Sequence, residues 1–214
     1  MSQKKEDIKL SQTNENSGVH IEGHIKIFDP ESKKVYVNKR NAIHFENMSE
    51  ALATTLANKG SSFVHEMHFG NGGTSVDPTG VVSYLPANST GSGADLYNKT
   101  YYKVVDDTSS LNLDPSRNRI EVRHTPGLVY TDILVSCLLD YGEPSGQQAF
   151  DNTTNFDDDF VFDELGLKGW NGSTVAAGKL LTHVVFHPVQ KSLNRLIQID
   201  YTVRIQTLTN LGTV

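Results

Sequence analysis

Three pairs of histidines lie close together in the chain: His20 with His24, His65 with His68, and His183 with His187. Residues two or four apart on a strand share a face, so the first and third pairs could each offer two imidazoles to a metal ion. HEMH places its two histidines on opposite faces of a strand and is not the helical HExxH zinc motif. No third ligand accompanies any pair. The acids Asp151, Asp157, Asp158, Asp159, Asp163 and Glu164 could bind calcium, but they lack the alternating spacing and central glycine of an EF-hand loop. They read as a solvated acidic loop, with cation binding left open. Ser136, in LVSCLLD, has none of the glycines of a nucleophile elbow, and His124, in HTPG, marks a strand end. Carboxylates abound, yet nothing in the sequence pairs two at a catalytic separation. We therefore expect no enzyme, no catalytic residue and no bound cofactor or metal.

The stretch FVHEMHFGNGGTSVDPTG, Phe63 to Gly80, looks at first like a phosphate-binding loop. Such a loop needs a helix after its glycines, so that converging N–H groups and the helix dipole meet the anion. Turn residues follow instead, with no Lys to reach a phosphate. The stretch is expected to be a strand, with Phe63, His65, Met67 and Phe69 on one face and Val64, Glu66 and His68 on the other. It should empty into a flexible surface loop.

The elements around these residues read mainly as strands. Val19, Ile21, Gly23, Ile25 and Ile27 alternate with His20, Glu22, His24, Lys26 and Phe28, and KVYVN from Lys34 to Asn38 returns as a hairpin partner. One helix follows, capped by Asn47 with Glu50 reaching back and ended at Gly60, with an apolar stripe of Met48, Leu52, Thr55 and Leu56. YYKVVDD, RNRIEVRH, VYTDILVSCLLDY, DFVFDELGLK, GKLLTHVVFH and LNRLIQIDYTVRIQTL are strands by composition. The last alternates cleanly from Ile197, as an antiparallel strand with one wet face should. This predicts a mainly β fold, an antiparallel β-sandwich with one short helix and long loops. Residues 1–18 form a flexible arm, 19–208 one β-rich domain (19–60 hairpin plus helix, 61–208 sandwich) and 209–214 a tail. The long polar segments Asn71 to Tyr97, Asp106 to Arg117 and Glu143 to Asp159 suggest ordering against neighbouring subunits.

Bulk properties narrow the function. A net charge of −6 lacks the basic excess that holds nucleic acid. No apolar stretch is long enough for a signal core or a membrane span. The one cysteine, Cys137, sits in an apolar run and reads as a buried, inert thiol. The Asn-x-Ser/Thr triplets at Asn47, Asn88, Asn98, Asn152 and Asn171 then read as polar loop residues.

HEMHFGNGGTSVDPTG, VRHTPGLVYTDILVSCLLDYGEP, FVFDELGLK and KLLTHVVFHPVQKSLNRLIQIDYTVRIQ, in that succession, resemble tailed-bacteriophage virion proteins of the tail, collar and fibre-adaptor kind. The matching residues are Phe69 to Thr74, Glu164 to Leu167 as a turn, Leu180 to Lys191 and the strand through Ile205. The resemblance implies a non-enzymatic virion component, assembled in the bacterial cytoplasm, that forms a homo-oligomeric ring or adaptor at the neck, collar, tail or baseplate. Its partners would be itself and other virion proteins, with no nucleic acid or membrane. The alternatives are a capsid decoration protein, or a carbohydrate- or receptor-binding β-sandwich using Tyr97, Tyr101, Tyr102 and Trp170 as aromatic platforms.

Overall fold

The computed structural model describes residues 18–60, 62–144 and 159–208. In chain order the elements are β1 (Gly18–Phe28), β2 (Val35–Ile43), α1 (Phe45–Leu56), β3 (Val64–Gly70), the short β4 (Thr74–Val76) and β5 (Val82–Tyr84), β6 (Lys99–Val104), β7 (Arg119–His124), β8 (Tyr130–Leu139), β9 (Asp159–Gly169), β10 (Thr182–Ser192) and β11 (Ile197–Leu208). The antiparallel β-rich fold expected from the sequence is present. All strands but β4 and β5 form one antiparallel sheet in the order β6-β3-β9-β10-β2-β1-β11-β8-β7. The N-terminal hairpin therefore lies at the centre of the sheet.

The sheet curls so that its two halves face each other across one core. Met67 and Phe69 from β3, Phe162 and Leu165 from β9, and Val135, Cys137 and Leu139 from β8 all join a single buried cluster with Ile199 and Tyr201 of β11. Burial along β11 alternates from Ile197 to Val203 as the sequence pattern requires. Side chains close one seam of the curl. Lys103 Nζ of β6 donates to the Leu138 carbonyl of β8 at 2.8 Å and pairs with Glu143 at 2.6 Å, while Asn118 Oδ1 accepts from Leu138 N–H at 2.9 Å.

The helix starts earlier than expected. His44 is its N-cap, its Nδ1 accepting from Asn47 N–H at 3.2 Å, so Asn47 is a buried first-turn residue whose amide donates to the Leu180 carbonyl at 2.8 Å. Glu50 makes no capping box; it pairs with Lys179 at 2.5 Å. Asn58, not Gly60, takes the left-handed conformation after the helix. The packed stripe keeps Met48 and Leu52, adds Asn47 and Ala51, and leaves Thr55 and Leu56 exposed.

Bulges change two facing assignments. His65 is an extra residue between the Val64/Gly169 and Glu66/Lys168 pairs, so Val64 packs against the core and Phe63 is exposed. Glu164 to Leu167, expected as a turn, runs through the middle of β9, paired with β3 and β10.

Candidate functional site

The most concentrated polar chemistry lies on the face of β3, β9 and β10 turned away from the core, covered by the segment that follows the glycines. Asp163 and Glu164 project from β9 into this layer, both fully buried. Asp163 Oδ1 accepts from Gly73 N–H at 2.9 Å and its Oδ2 from Thr74 N–H at 2.8 Å, with the Thr74 hydroxyl as a further donor. Glu164 Oε1 accepts from Gly72 N–H at 3.1 Å and Asn98 N–H at 2.8 Å. Its Oε2 accepts from Tyr97 N–H at 2.9 Å and His183 Nε2 at 3.0 Å. The glycine loop thus does cradle an anion, and the anion is the protein's own pair of carboxylates.

This corrects two expectations. The segment from Asn71 to Tyr97 is pinned at both ends to its own sheet, so ordering it needs no neighbouring subunit. Asp163 and Glu164 are not part of a solvated loop; they are buried strand residues, while Asp151, Asp157 and Asp158 lie outside the described residues. Close approach explains the glycines: a Cβ on Gly70 would stand 2.5 Å from both the Asn98 carbonyl oxygen and Glu164 Oε1.

The electrostatics follow from the donors. Burial would raise the Glu164 carboxyl, but the His183 bond and the three backbone N–H groups outweigh it and hold it below the usual range. Burial dominates at Asp163, helped by the neighbouring Glu164 charge, and raises it. A second knot lies alongside. Burial again opposes ionisation of Glu66, yet it is held low by His68 Nε2 at 2.7 Å, Ala176 N–H at 2.9 Å and His65 Nδ1 at 3.2 Å. Burial lowers His68 in turn. Lys168, buried in the same layer, pairs with Asp95 at 3.0 Å. Sequence reading found these histidines and the β9 acids but missed Glu66, Asp95 and Lys168 as their companions; the Glu66 signal was present in HEMH itself.

The histidine pairs divide. His183 is buried, accepting from Asn88 N–H at 2.8 Å on Nδ1, whereas His187 is exposed and meets Tyr84 Oη at 3.2 Å, the β10 bulge between Val185 and Val189 having broken their shared face. His20 sits 3.9 Å from Glu22, and His24 is exposed. Among the described residues no group of three His, Cys, Asp or Glu is arranged to hold a metal ion. His124 meets the Thr131 hydroxyl at 3.0 Å, and Ser136 faces Asp200 and Arg119 across its neighbouring strands. The thiol of Cys137 is buried and pushed up to about 12, as an inert cysteine should be. Lys191, also buried, donates to the Ser192 carbonyl at 2.8 Å, and burial brings its ammonium down to about 8. Of the triplet asparagines taken as loop residues, Asn47 is helical, Asn88 and Asn98 bond within the pinned segment to Asp95 and Asn71, and Asn152 lies outside the described residues.

The four candidate platform aromatics do not gather. Trp170 lies tilted against His65 with centroids 4.4 Å apart, Tyr101 packs into the core against Phe69, Tyr102 stacks on His68, and Tyr97 donates its hydroxyl to the Pro86 carbonyl.

Two of the surface cavities bear on function. One of about 580 Å³ lies at the seam, where Lys103 pairs with Glu143 and Arg117 with Asp114 and Asp140, so each of its charged groups has a partner of opposite sign. The other, about 380 Å³ and apolar, opens at the mouth of the curled sheet between Met48 and Leu52 of α1 and Ile120 and Val122 of β7. Its rim is bare: Val122 is 67% exposed and Phe63 43%, and Leu56, one helical turn from Leu52, is 87% exposed.

Comparison of the chain with protein-family models, with curated proteins and with solved structures finds no match.

Proposed function

We propose that this chain is a non-enzymatic structural component of a tailed-phage virion, forming a homo-oligomeric ring or adaptor that joins other virion proteins at the neck, collar, tail or baseplate. The observation that carries the reading is the bare apolar mouth. Exposed apolar side chains grouped around a groove favour contact with another protein surface, and here Phe63 and Val122 line one, with Leu56 exposed a helical turn beyond Leu52. The buried polar layer supports the same reading, because its carboxylates are spent on holding the chain together. The order of motifs through Ile205 adds the resemblance to tail and collar proteins.

The native mass of the full chain, measured by light scattering across a concentration series, tests the assembly reading. A closed oligomer of one defined size is the expected result. A monomer at every concentration that also fails to bind purified phage particles would overturn it.

A further inference from the structure

The sheet ends at β7, and this strand is exposed along nearly its whole length. Asp107 caps this edge at Ile120, so the outward backbone groups it offers to another strand are those around Val122 and His124. Three features of this edge point to the same occupant.

The first is the direction of its backbone. Ile120 N–H bonds Asp107 Oδ1 at 3.2 Å and so points away from β8. Alternate residues of a strand point their N–H groups the same way, so those of Val122 and His124 also point outward.

The second is the charge pattern across the sheet. Arg123 stands opposite Asp132, Asp132 opposite Arg204, and Arg204 opposite Glu22. Arg204 grips Asp132 with bonds of 2.7 and 2.8 Å, and Glu22 lies 3.6 Å from Arg40 of β2. The row alternates in sign over five strands and stops at the edge on Arg123, which Glu121 of the same strand holds at 2.9 Å, so a neighbouring strand of the same sequence could exchange these partners without leaving either charge alone.

The third is the sequence of β7 itself, RIEVRH. Laid antiparallel on its own copy about a two-fold axis through Val122, it sets Glu121 against the copy's Arg123 and Arg123 against the copy's Glu121. The same register pairs Val122 with itself as a hydrogen-bonded pair, which is what the outward N–H direction demands. Edge charges of one sign would repel a second copy; these complement it.

We propose that β7 is a two-fold interface between copies of this chain, joining their sheets through Val122 and crossed Glu121/Arg123 ion pairs. This rests on the assembly reading above and names one of its contacts. A two-fold contact closes on itself in a dimer, so a ring would use a further surface, and Leu56 and Phe63 on the helix side of the mouth stay available for it.

A charge-swap experiment on the full chain tests this. Glu121→Arg and Arg123→Glu are made separately, checked for unchanged circular dichroism, and weighed by light scattering alone and mixed. Each variant alone sets like charges against each other and should show half the mass of the wild-type dimer unit at the same concentration. Mixing the two restores opposite charges at both crossings and should restore the wild-type mass. A defined wild-type oligomer whose mass neither variant changes overturns the β7 assignment and leaves the assembly reading standing. Loss of mass in each variant with no recovery on mixing overturns the crossed pairing. A wild-type monomer at all concentrations also overturns the assignment, and binding to phage particles then decides the assembly reading separately.

Discussion

Replacing Glu164 with Gln isolates the anchor of the glycine loop, because it keeps the size of the side chain and removes one acceptor oxygen. Each carboxylate oxygen accepts two bonds: Gly72 and Asn98 N–H on one, Tyr97 N–H and His183 Nε2 on the other. Whichever oxygen survives, the new amide NH₂ faces two donors. His183 cannot relieve the clash by changing tautomer, since its Nδ1 already accepts from Asn88 N–H. Charge-assisted bonds are worth about 1.5–3 kcal/mol each, and buried donors left unpaired add to the loss, so the substitution should cost on the order of 3–5 kcal/mol. In a chain of this size 1 kcal/mol moves the melting temperature by about 2–4 °C, which predicts a fall on the order of 10 °C. The core lies on the other face of the sheet and should stay folded. Hydrogen exchange should therefore quicken at Gly72, Tyr97 and Asn98 before it quickens in β11. An unchanged melting temperature with unchanged protection at those three amides would refute the anchoring role.

Acidification should act on the same layer in two stages. His68 is held neutral below its ordinary range by burial, so the unfolded chain takes up its proton first and stability falls as pH drops through the usual imidazole range. Glu66 and Glu164 are depressed, so their contribution is present above the ordinary carboxylate range and lost as pH falls below it; the raised Asp163 opposes this in part. Urea midpoints measured from pH 8 to pH 3 should show both declines. Ile199→Asp puts a charge at a fully buried position of β11 and should cost several kcal/mol, leaving no cooperative melt. Gly70→Ala drives a Cβ against the Asn98 carbonyl and should lower the melting temperature by several degrees, read by calorimetry. Cys137 should resist a thiol reagent in the native protein and react completely in urea, as absorbance of the released chromophore would report.

The readable parts of the fold were those fixed by local pattern. Alternation made β11 and β1 plain, because the two faces of those strands meet different solvents. The helix was visible in Met48 and Leu52, but its start depended on His44 finding Asn47 N–H, a cap that residue preferences rank low. Bulges at His65 and in β10 shifted the faces of β3 and β10; Pro188 in THVVFHPV signals the second, since proline inside a sheet goes with a bulge, but nothing in FVHEMHFG marks the first. The acids of FDELGLK looked like a loop signal because their donors lie far away in the chain, at Gly72 to Thr74 and at Tyr97 and Asn98.

That separation in sequence has a consequence for the growing chain. Glu164 follows Asn98 by 66 residues and Gly72 by 92. At about 5–20 residues per second of synthesis, the glycine loop is made roughly 5 to 18 seconds before the carboxylates that hold it. The central hairpin of β1 and β2 can form early, yet the covering layer outside the sheet has to wait for β9, and His183 of β10 comes later still. The outer layer is therefore the last part of the domain to set.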